Sequence, residues 1–379
     1  MKNWMLSLFL VLTTGLTLSA QSTVTGKITH DGLQRTYRFY IPQNLKAGQK
    51  LPLVFNLHGL GSNGIQQEFY GDFRKIADTA GFFIVHPDGT KHPSLGQNYW
   101  NVGVEPSGVD DLGFLEALLD TLSFQYPIDL SRVFCTGMSN GGFMSYFMAC
   151  NSDRFAAIAS VTGSMTTPML QNCGRSTPIP VLEIHGTADE VVPYDGSSGV
   201  ESINEVLKFW IQLNKTPTTP QVIKVLDTNV NDNSTAEHYI YPAYGSSASV
   251  EHFKIIGGGH TWPGAIINIG VTNQDISASK EIWRFFSQTK TTTAINQTTG
   301  LQNLEVQYNT NASQVTIVPE NSESRYVVSC HDLQGREYFS RQLNGQSTLD
   351  LFELLPGYYY LQIRSANQFK IFRFFNHKG

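Results

Sequence analysis

Residues 133–142 read Val133-Phe134-Cys135-Thr136-Gly137-Met138-Ser139-Asn140-Gly141-Gly142. Val133 to Thr136 is a short run of β-branched, aromatic and apolar residues, the pattern of a buried strand. The stretch from Asn140 to Ala149 is compatible with a helix. Between them Gly137-Met138-Ser139-Asn140-Gly141 fits G-x-S-x-G. A strand-to-helix turn this tight leaves no room for side chains beside the serine, and it lifts the hydroxyl out of the sheet toward a cleft. A glycine-rich turn with a serine capping the helix is the plainer alternative. The surrounding sequence decides between them.

Outward from this motif, strands and helices alternate from about Ser22 to Gln288. Leu33 to Ile41 alternates as an edge strand does. Leu53 to Leu57, Phe82 to Val85, Ala156 to Val161 and Pro180 to Ile184 read as buried strands. Val109, Leu112, Leu115, Leu118, Leu119 and Leu122 recur at helical spacing, and Glu201 to Leu213 and Ile276 to Ser287 read as further helices. Such alternation predicts an α/β fold, a mostly parallel sheet with helices on both faces. After Ser287 the texture changes. Residues 289–300 form a Thr-rich linker, and residues 301–379 show only short strand-like runs with turn signals, a small all-β domain.

A serine hydroxyl is a poor nucleophile at neutral pH and needs a base, which in turn needs an orienting acid. In this kind of fold they follow in the order Ser, acid, His. His260 sits in Gly257-Gly258-Gly259-His260-Thr261-Trp262-Pro263-Gly264, after the strand Phe253 to Ile256. His86 precedes a proline turn, His185 ends a strand, and His238 and His252 are expected on surface strands. Asp189 follows the strand Val181 to His185, at the end where open α/β sheets place their sites. Asp195 and Glu190 are the fallback acids. His58-Gly59-Leu60-Gly61 follows the strand Leu53 to Leu57. The backbone amides of Leu60 and Asn140 are the expected donors to an oxyanion.

Composition narrows the classes. The chain has 379 residues, enough for more than one domain. Hydrophobic residues make up 41%, which excludes disorder as the whole answer. Lys+Arg 26 against Asp+Glu 31 leaves −5. No basic block exists, which argues against a nucleic-acid partner. Lys2, the apolar run from Trp4 to Leu18, and Ser19-Ala20 read as a signal peptide over residues 1–20, cleaved before Gln21. No later segment approaches 18 unbroken apolar residues, so no membrane span is expected in the mature chain.

The residues quoted so far, together with Asn56-Leu57-His58-Gly59, Asp111, Asp153-Arg154-Phe155-Ala156-Ala157 and His185-Gly186-Thr187-Ala188-Asp189-Glu190-Val191-Val192-Pro193-Tyr194, resemble the polyhydroxybutyrate depolymerase / feruloyl esterase family over roughly residues 24–288. The resemblance implies an α/β-hydrolase fold, a Ser139–His260–Asp189 triad and hydrolysis of carboxylic esters without metal or cofactor. The implied substrates are polyesters, including aromatic ones, and feruloyl or acetyl esters of plant cell-wall polysaccharide. It also implies a Cys150–Cys173 disulfide. A serine peptidase of the same fold and a binding protein with an inactive hydrolase fold are the alternatives.

The C-terminal part resembles another family. Val328 to Arg336, Leu349-Asp350-Leu351, Leu355-Pro356-Gly357-Tyr358-Tyr359 and Phe369 to Phe374 look like the type IX secretion sorting domain of Bacteroidetes. That family's first strand carries Pro-Asn-Pro, whereas Val306 to Asn311 has no proline. This resemblance implies export through the periplasm to the cell surface or medium, with secretion machinery as partner. A polymer-binding module is the competing reading. Asp227, Asn229 and Asn231 begin like a calcium loop, but Asp232 and His238 stand where Gly and Glu are needed, so a polar hairpin turn is expected. Trp262, Trp100 and Tyr99, with Phe69 and Tyr70, are candidates for an exposed aromatic shelf that stacks on substrate.

Overall fold

A computed structural model describes residues 22–376, apart from 44, 47, 104–107, 246–247, 290–303, 310–312, 320–324, 333–335, 356 and 366–367. The expected signal peptide over residues 1–20 and residues 290–300 of the expected linker lie outside the described residues. In chain order the elements of the first part are β1 (Ser22–His30), β2 (Leu33–Ile41), β3 (Leu51–Leu57), α1 (Gly64–Tyr70), α2 (Arg74–Ala80), β4 (Phe83–Pro87), β5 (Thr90–Lys91), β6 (Asn98–Tyr99), α3 (Asp111–Gln125), β7 (Ile128–Met138) and α4 (Asn140–Asn151). They continue with β8 (Ala157–Val161), α5 (Thr167–Gln171), β9 (Val181–Gly186), α6 (Ile203–Asn214), β10 (Gln221–Lys224), β11 (Thr235–Tyr241), β12 (Val250–Ile256) and α7 (Ala278–Gln288).

Ten strands form one sheet in the order β1-β2-β4-β3-β7-β8-β9-β12-β11-β10. The central run from β4 to β12 is parallel throughout. Antiparallel strands close both edges. β3 is buried at every residue, the signature of a strand covered on both faces. Its side chains alternate between two cores: Leu53, Phe55 and Leu57 belong to one together with Leu115, Met144 and Trp210, while Val54 belongs to the other together with Phe134, Leu182 and Phe286. Helices therefore cover both faces, and the fold is an α/β hydrolase-type doubly wound sheet. α6 starts with a side-chain cap: the Ser202 hydroxyl accepts from the Glu205 amide, ahead of an apolar stripe.

Some expectations fail for identifiable reasons. Leu33 to Ile41 is not the edge strand. β1 pairs along its whole length, from Ser22 opposite Ile41 to His30 opposite Leu33. Asp31 and Gly32, both at positive φ, make the tight turn that Asp-Gly favours in hairpins. His238 and His252 are not surface residues; they are 8% and 2% exposed. α1, α2 and α5 have seven, seven and five residues, too short to show a helical period. The calcium-loop-like stretch connects β10 to β11, antiparallel neighbours, as a polar hairpin connection.

Beyond the linker the chain forms β13 (Glu305–Asn309), β14 (Gln314–Val318), β15 (Arg325–Asp332), β16 (Glu337–Asn344), β17 (Ser347–Asp350), β18 (Gly357–Ser365) and β19 (Gln368–Asn376). They make two antiparallel sheets, β13-β14-β17 and β16-β15-β18-β19. Val315, Ile317, Val328, Leu349, Leu361 and Ile363 fill the space between them, joined by the buried rings of Tyr326, Tyr359 and Phe374. These aromatic side chains are core. This part touches the first through α3, where Gln362 Nε2 donates to Asp120 Oδ2 at 2.8 Å and Tyr360 packs on Phe124. Among the described residues no helix is long and apolar enough to cross a membrane.

Candidate active site

Ser139 lies where β7 ends and α4 begins, with φ 54° and ψ −122°. A non-glycine residue at positive φ carries a cost of about 1–3 kcal/mol, and such strain persists only where the surroundings enforce it. They do so here. A Cβ on Gly137 would sit 2.6 Å from the Gly141 backbone, and one on Gly141 would sit 2.3 Å from the Leu57 carbonyl oxygen. β7, α4 and β3 therefore meet at a distance only glycine permits. The Ser139 amide donates to Val161 of β8 at 2.8 Å, which holds the turn from the other side. The Ser139 hydroxyl does not cap the helix. The capping alternative is thereby removed.

The loop after β3 runs alongside. A Cβ on Gly59 would lie 3.3 Å from Ser139 Cβ. His58 is fully buried, and its Nε2 accepts from the Gly89 amide at 2.9 Å. Its Nδ1 must then carry the proton, which it donates to the Gly59 carbonyl at 2.8 Å. Burial lowers the His58 pKa, partly offset by that bond, so the ring is neutral. The Ser62 amide also donates to the Gly59 oxygen. In a trans peptide the Leu60 N–H points opposite to the Gly59 C=O, away from both bonds. His58 and Ser62 thus set the direction of the Leu60 amide.

Trp100 joins this loop to the start of α4. The Asn140 side chain grips the Trp100 backbone twice, accepting from its N–H at 2.6 Å and donating to its C=O at 3.1 Å. The indole Nε1 donates to the His58 carbonyl at 2.9 Å. Asp111 anchors the same segment: its Oδ2 accepts from the Asn101 amide at 2.7 Å, and its Oδ1 pairs with buried Arg35 at 2.6 Å.

Asp189 follows β9 and His260 follows β12, both strands parallel to β7, so all three side chains rise from the same edge of the sheet. His260 Nδ1 is 2.8 Å from Asp189 Oδ2. The other oxygen, Oδ1, accepts from the amides of Val191 and Val192, each at 2.9 Å. Burial pushes the Asp189 carboxyl up, but His260, the Val192 amide and His185 outweigh it and hold it below the usual carboxylate range. It is an anion throughout the neutral range. The fallback acids Asp195 and Glu190 are exposed.

The aromatic shelf is corrected by burial. Trp262, Trp100 and Tyr99 are 1%, 1% and 3% exposed. Trp262 packs edge-on against Phe73 and donates its indole N–H to Ser279. Tyr99 packs on His92. None of the three presents a face to substrate; a ring flanked by Gly and Asn in sequence gives no sign of the layer that covers it. Of the other two, Phe69 is exposed and Tyr70 partly so. Cys150 and Cys173 are disulfide-bonded, as the family resemblance implies. Cys135 is a buried thiol pushed up to about 12 by burial, and thus inert. The roles of His58 and Trp100 were not legible, nor was the buried pair Glu183 and His185 beneath Asp189. Two polar residues inside the apolar run Val181 to Ile184 and its end were the available signal.

The fold is that of the α/β hydrolases. Residues 67–173, which include Ser139, match the prolyl oligopeptidase family. A bifunctional acetylxylan esterase/xylanase of Neocallimastix patriciarum is 26% identical over 259 residues, covering 68% of this chain and 34% of that protein. A probable feruloyl esterase C of Aspergillus terreus is 30% identical over 183 residues, covering 46% and 61%. The chain therefore spans about a third of the first relative and under two thirds of the second. Among solved structures, the acetyl xylan esterase from Aspergillus awamori superposes with a TM-score of 0.51 at 17% identity, over 70% of this chain and 99% of that one. That likeness is one of fold.

Proposed function

We propose that the protein is a serine carboxylic ester hydrolase with Ser139, His260 and Asp189 as its triad. The observation that carries this reading is the 2.8 Å contact between His260 Nδ1 and Asp189 Oδ2 on the sheet edge where Ser139 occupies its strained turn. An ionised Asp189 accepts, so Nδ1 carries a proton and Nε2 is left as the base. Ser139 Oγ attacks the ester carbonyl while Nε2 takes its proton. The Leu60 and Asn140 amides hold the oxyanion. His260 then protonates the leaving alcohol, and water releases the acid by the same steps in reverse. These steps need no metal or cofactor.

The named relatives favour esters linked to cell-wall polysaccharide, feruloyl or acetyl. A second reading, an apolar polyester, draws on the His260 loop. Residues 255–274 contain no Asp, Glu, Lys or Arg, and Ile266, Ile267 and Ile269 are 93%, 62% and 59% exposed. Residues 21–288 act as the catalytic domain. Residues 1–20 direct export, and residues 301–379 serve as a type IX-like sorting domain that engages secretion machinery at the cell surface. The enzyme is tested on feruloylated and acetylated xylan, polyhydroxybutyrate film, an aromatic polyester film and short nitrophenyl esters, beside Ser139→Ala. Turnover of at least one ester, lost on the order of a millionfold in Ser139→Ala, is expected. Cleavage of peptide amides alone, or failure of folded protein to react with a fluorophosphonate, refutes it.

A further inference from the structure

We infer that Glu183 and His185 form a second carboxylate–imidazole pair that positions Asp189 from behind. This rests on the reading of Asp189 as the orienting acid. Glu183 and His185 are two apart on β9, so they share one face of the strand, and both are fully buried. His185 Nε2 lies 2.8 Å from the Val192 carbonyl, which can only accept, so that nitrogen carries a proton. His185 Nδ1 lies 2.9 Å from Glu183 Oε1. A carboxylate and a bare ring nitrogen repel each other, so one further proton lies between them. The pair is then neutral overall, with its positive edge toward Asp189.

Val192 makes the pair consequential. Its N–H goes to Asp189 Oδ1 and its C=O to His185. The turn that holds the acid is thus pinned from below by an imidazole. The same Nε2 stands 3.5 Å from Asp189 Oδ2, the oxygen that meets His260. It also separates two buried carboxyl groups, Glu183 and Asp189. The pair is also tied to the helix that follows the nucleophile: Tyr146, on α4, donates to Glu183 Oε2 at 2.7 Å. The other titratable groups around it come from β12 and the acid loop. His252 Nδ1 faces the Glu183 carbonyl, its Nε2 faces the Tyr194 hydroxyl, the Tyr194 ring stands edge-on to His185, and Lys254 lies over that ring.

A core pair that only stabilised the fold would leave the chemistry untouched once the protein is folded. A positioning pair would not. His185→Gln keeps a donor for Val192 but loses the shared proton. Glu183→Gln keeps the shape, offers its amide to Nδ1 and leaves the ring neutral. Both variants are assayed on a soluble nitrophenyl ester across pH, beside Asp189→Asn. A kcat loss on the order of ten- to a hundredfold, with KM little changed, is expected in each. The acid limb of kcat/KM should also move to higher pH, because losing the positive edge that faces Asp189 makes a further proton on the Asp189–His260 pair less costly. If His185→Gln does not fold, Glu183→Gln decides. Folded variants with wild-type kcat and an unmoved acid limb overturn the inference, even if their melting temperature falls. Full activity in Asp189→Asn would instead overturn the reading of the site itself.

Discussion

Asp189→Asn is the sharpest single test of the site, because the structure dictates how the new amide must sit. Asp189 Oδ1 accepts two backbone donors, Val191 and Val192. An asparagine that turned its NH₂ toward them would leave both donors unmatched, at about 1–3 kcal/mol each. Its carbonyl oxygen therefore keeps the Oδ1 position, and its NH₂ faces His260 Nδ1. An NH₂ donates, so Nδ1 must become the acceptor and the ring proton must move to Nε2. The base then has no lone pair for Ser139. The same exchange in a serine protease triad costs about 10⁴ in kcat, equivalent to about 5 kcal/mol of barrier. A loss of that size is expected here, read as kcat on a nitrophenyl ester and as the rate of fluorophosphonate labelling, with KM and the melting temperature nearly unchanged. Asp195→Asn and Glu190→Gln, both at exposed positions, should stay within about twofold of wild type. Asp189→Asn activity within tenfold of wild type would refute the assignment.

Two further outcomes follow from burial. Trp262→Ala empties a fully buried site and should cost about 3–5 kcal/mol of stability; hydrolysis of polymer film and of soluble ester should fall by the same factor, and a selective loss on film would restore the shelf. His86 is fully buried, neither ring nitrogen has a partner among the described residues, and burial lowers its pKa to about 4. Below its ordinary 6.5 the unfolded chain takes up a proton that the fold refuses until about 4. Stability is therefore lost as pH falls through that interval, by about 3 kcal/mol in all. Urea titrations of wild type and His86→Leu between pH 7 and 4 should show that share of the slope only in wild type.

How much of this was legible before the fold? The parallel strands were, because a strand buried on both faces must be apolar at nearly every position, as Leu51 to Leu57 is. The elbow was, because a serine between two glycines at the end of such a strand has few other uses. The order Ser139, Asp189, His260 followed from the ends of three strands. β1 was missed because a polar edge strand has no apolar run to announce it, although Asp31-Gly32 marked its turn. The aromatic residues were misjudged because a tryptophan in a glycine-rich loop looks the same in sequence whether a second layer covers it or not.

The amino-acid sequence by itself determined the local chemistry: which glycines permit a sharp turn, which strand ends carry a hydroxyl, a carboxylate and an imidazole, and which helices have an apolar side. Those depend on neighbours a few residues away. Only the tertiary structure decided that His58 turns the Leu60 amide, that Asn140 clamps the Trp100 backbone, and that His185 stands beneath Asp189. Each of these depends on groups brought within 3.5 Å of each other by strand order and by the curvature of loops, and a proton's location on a buried imidazole is set by the acceptors around it rather than by its place in the chain.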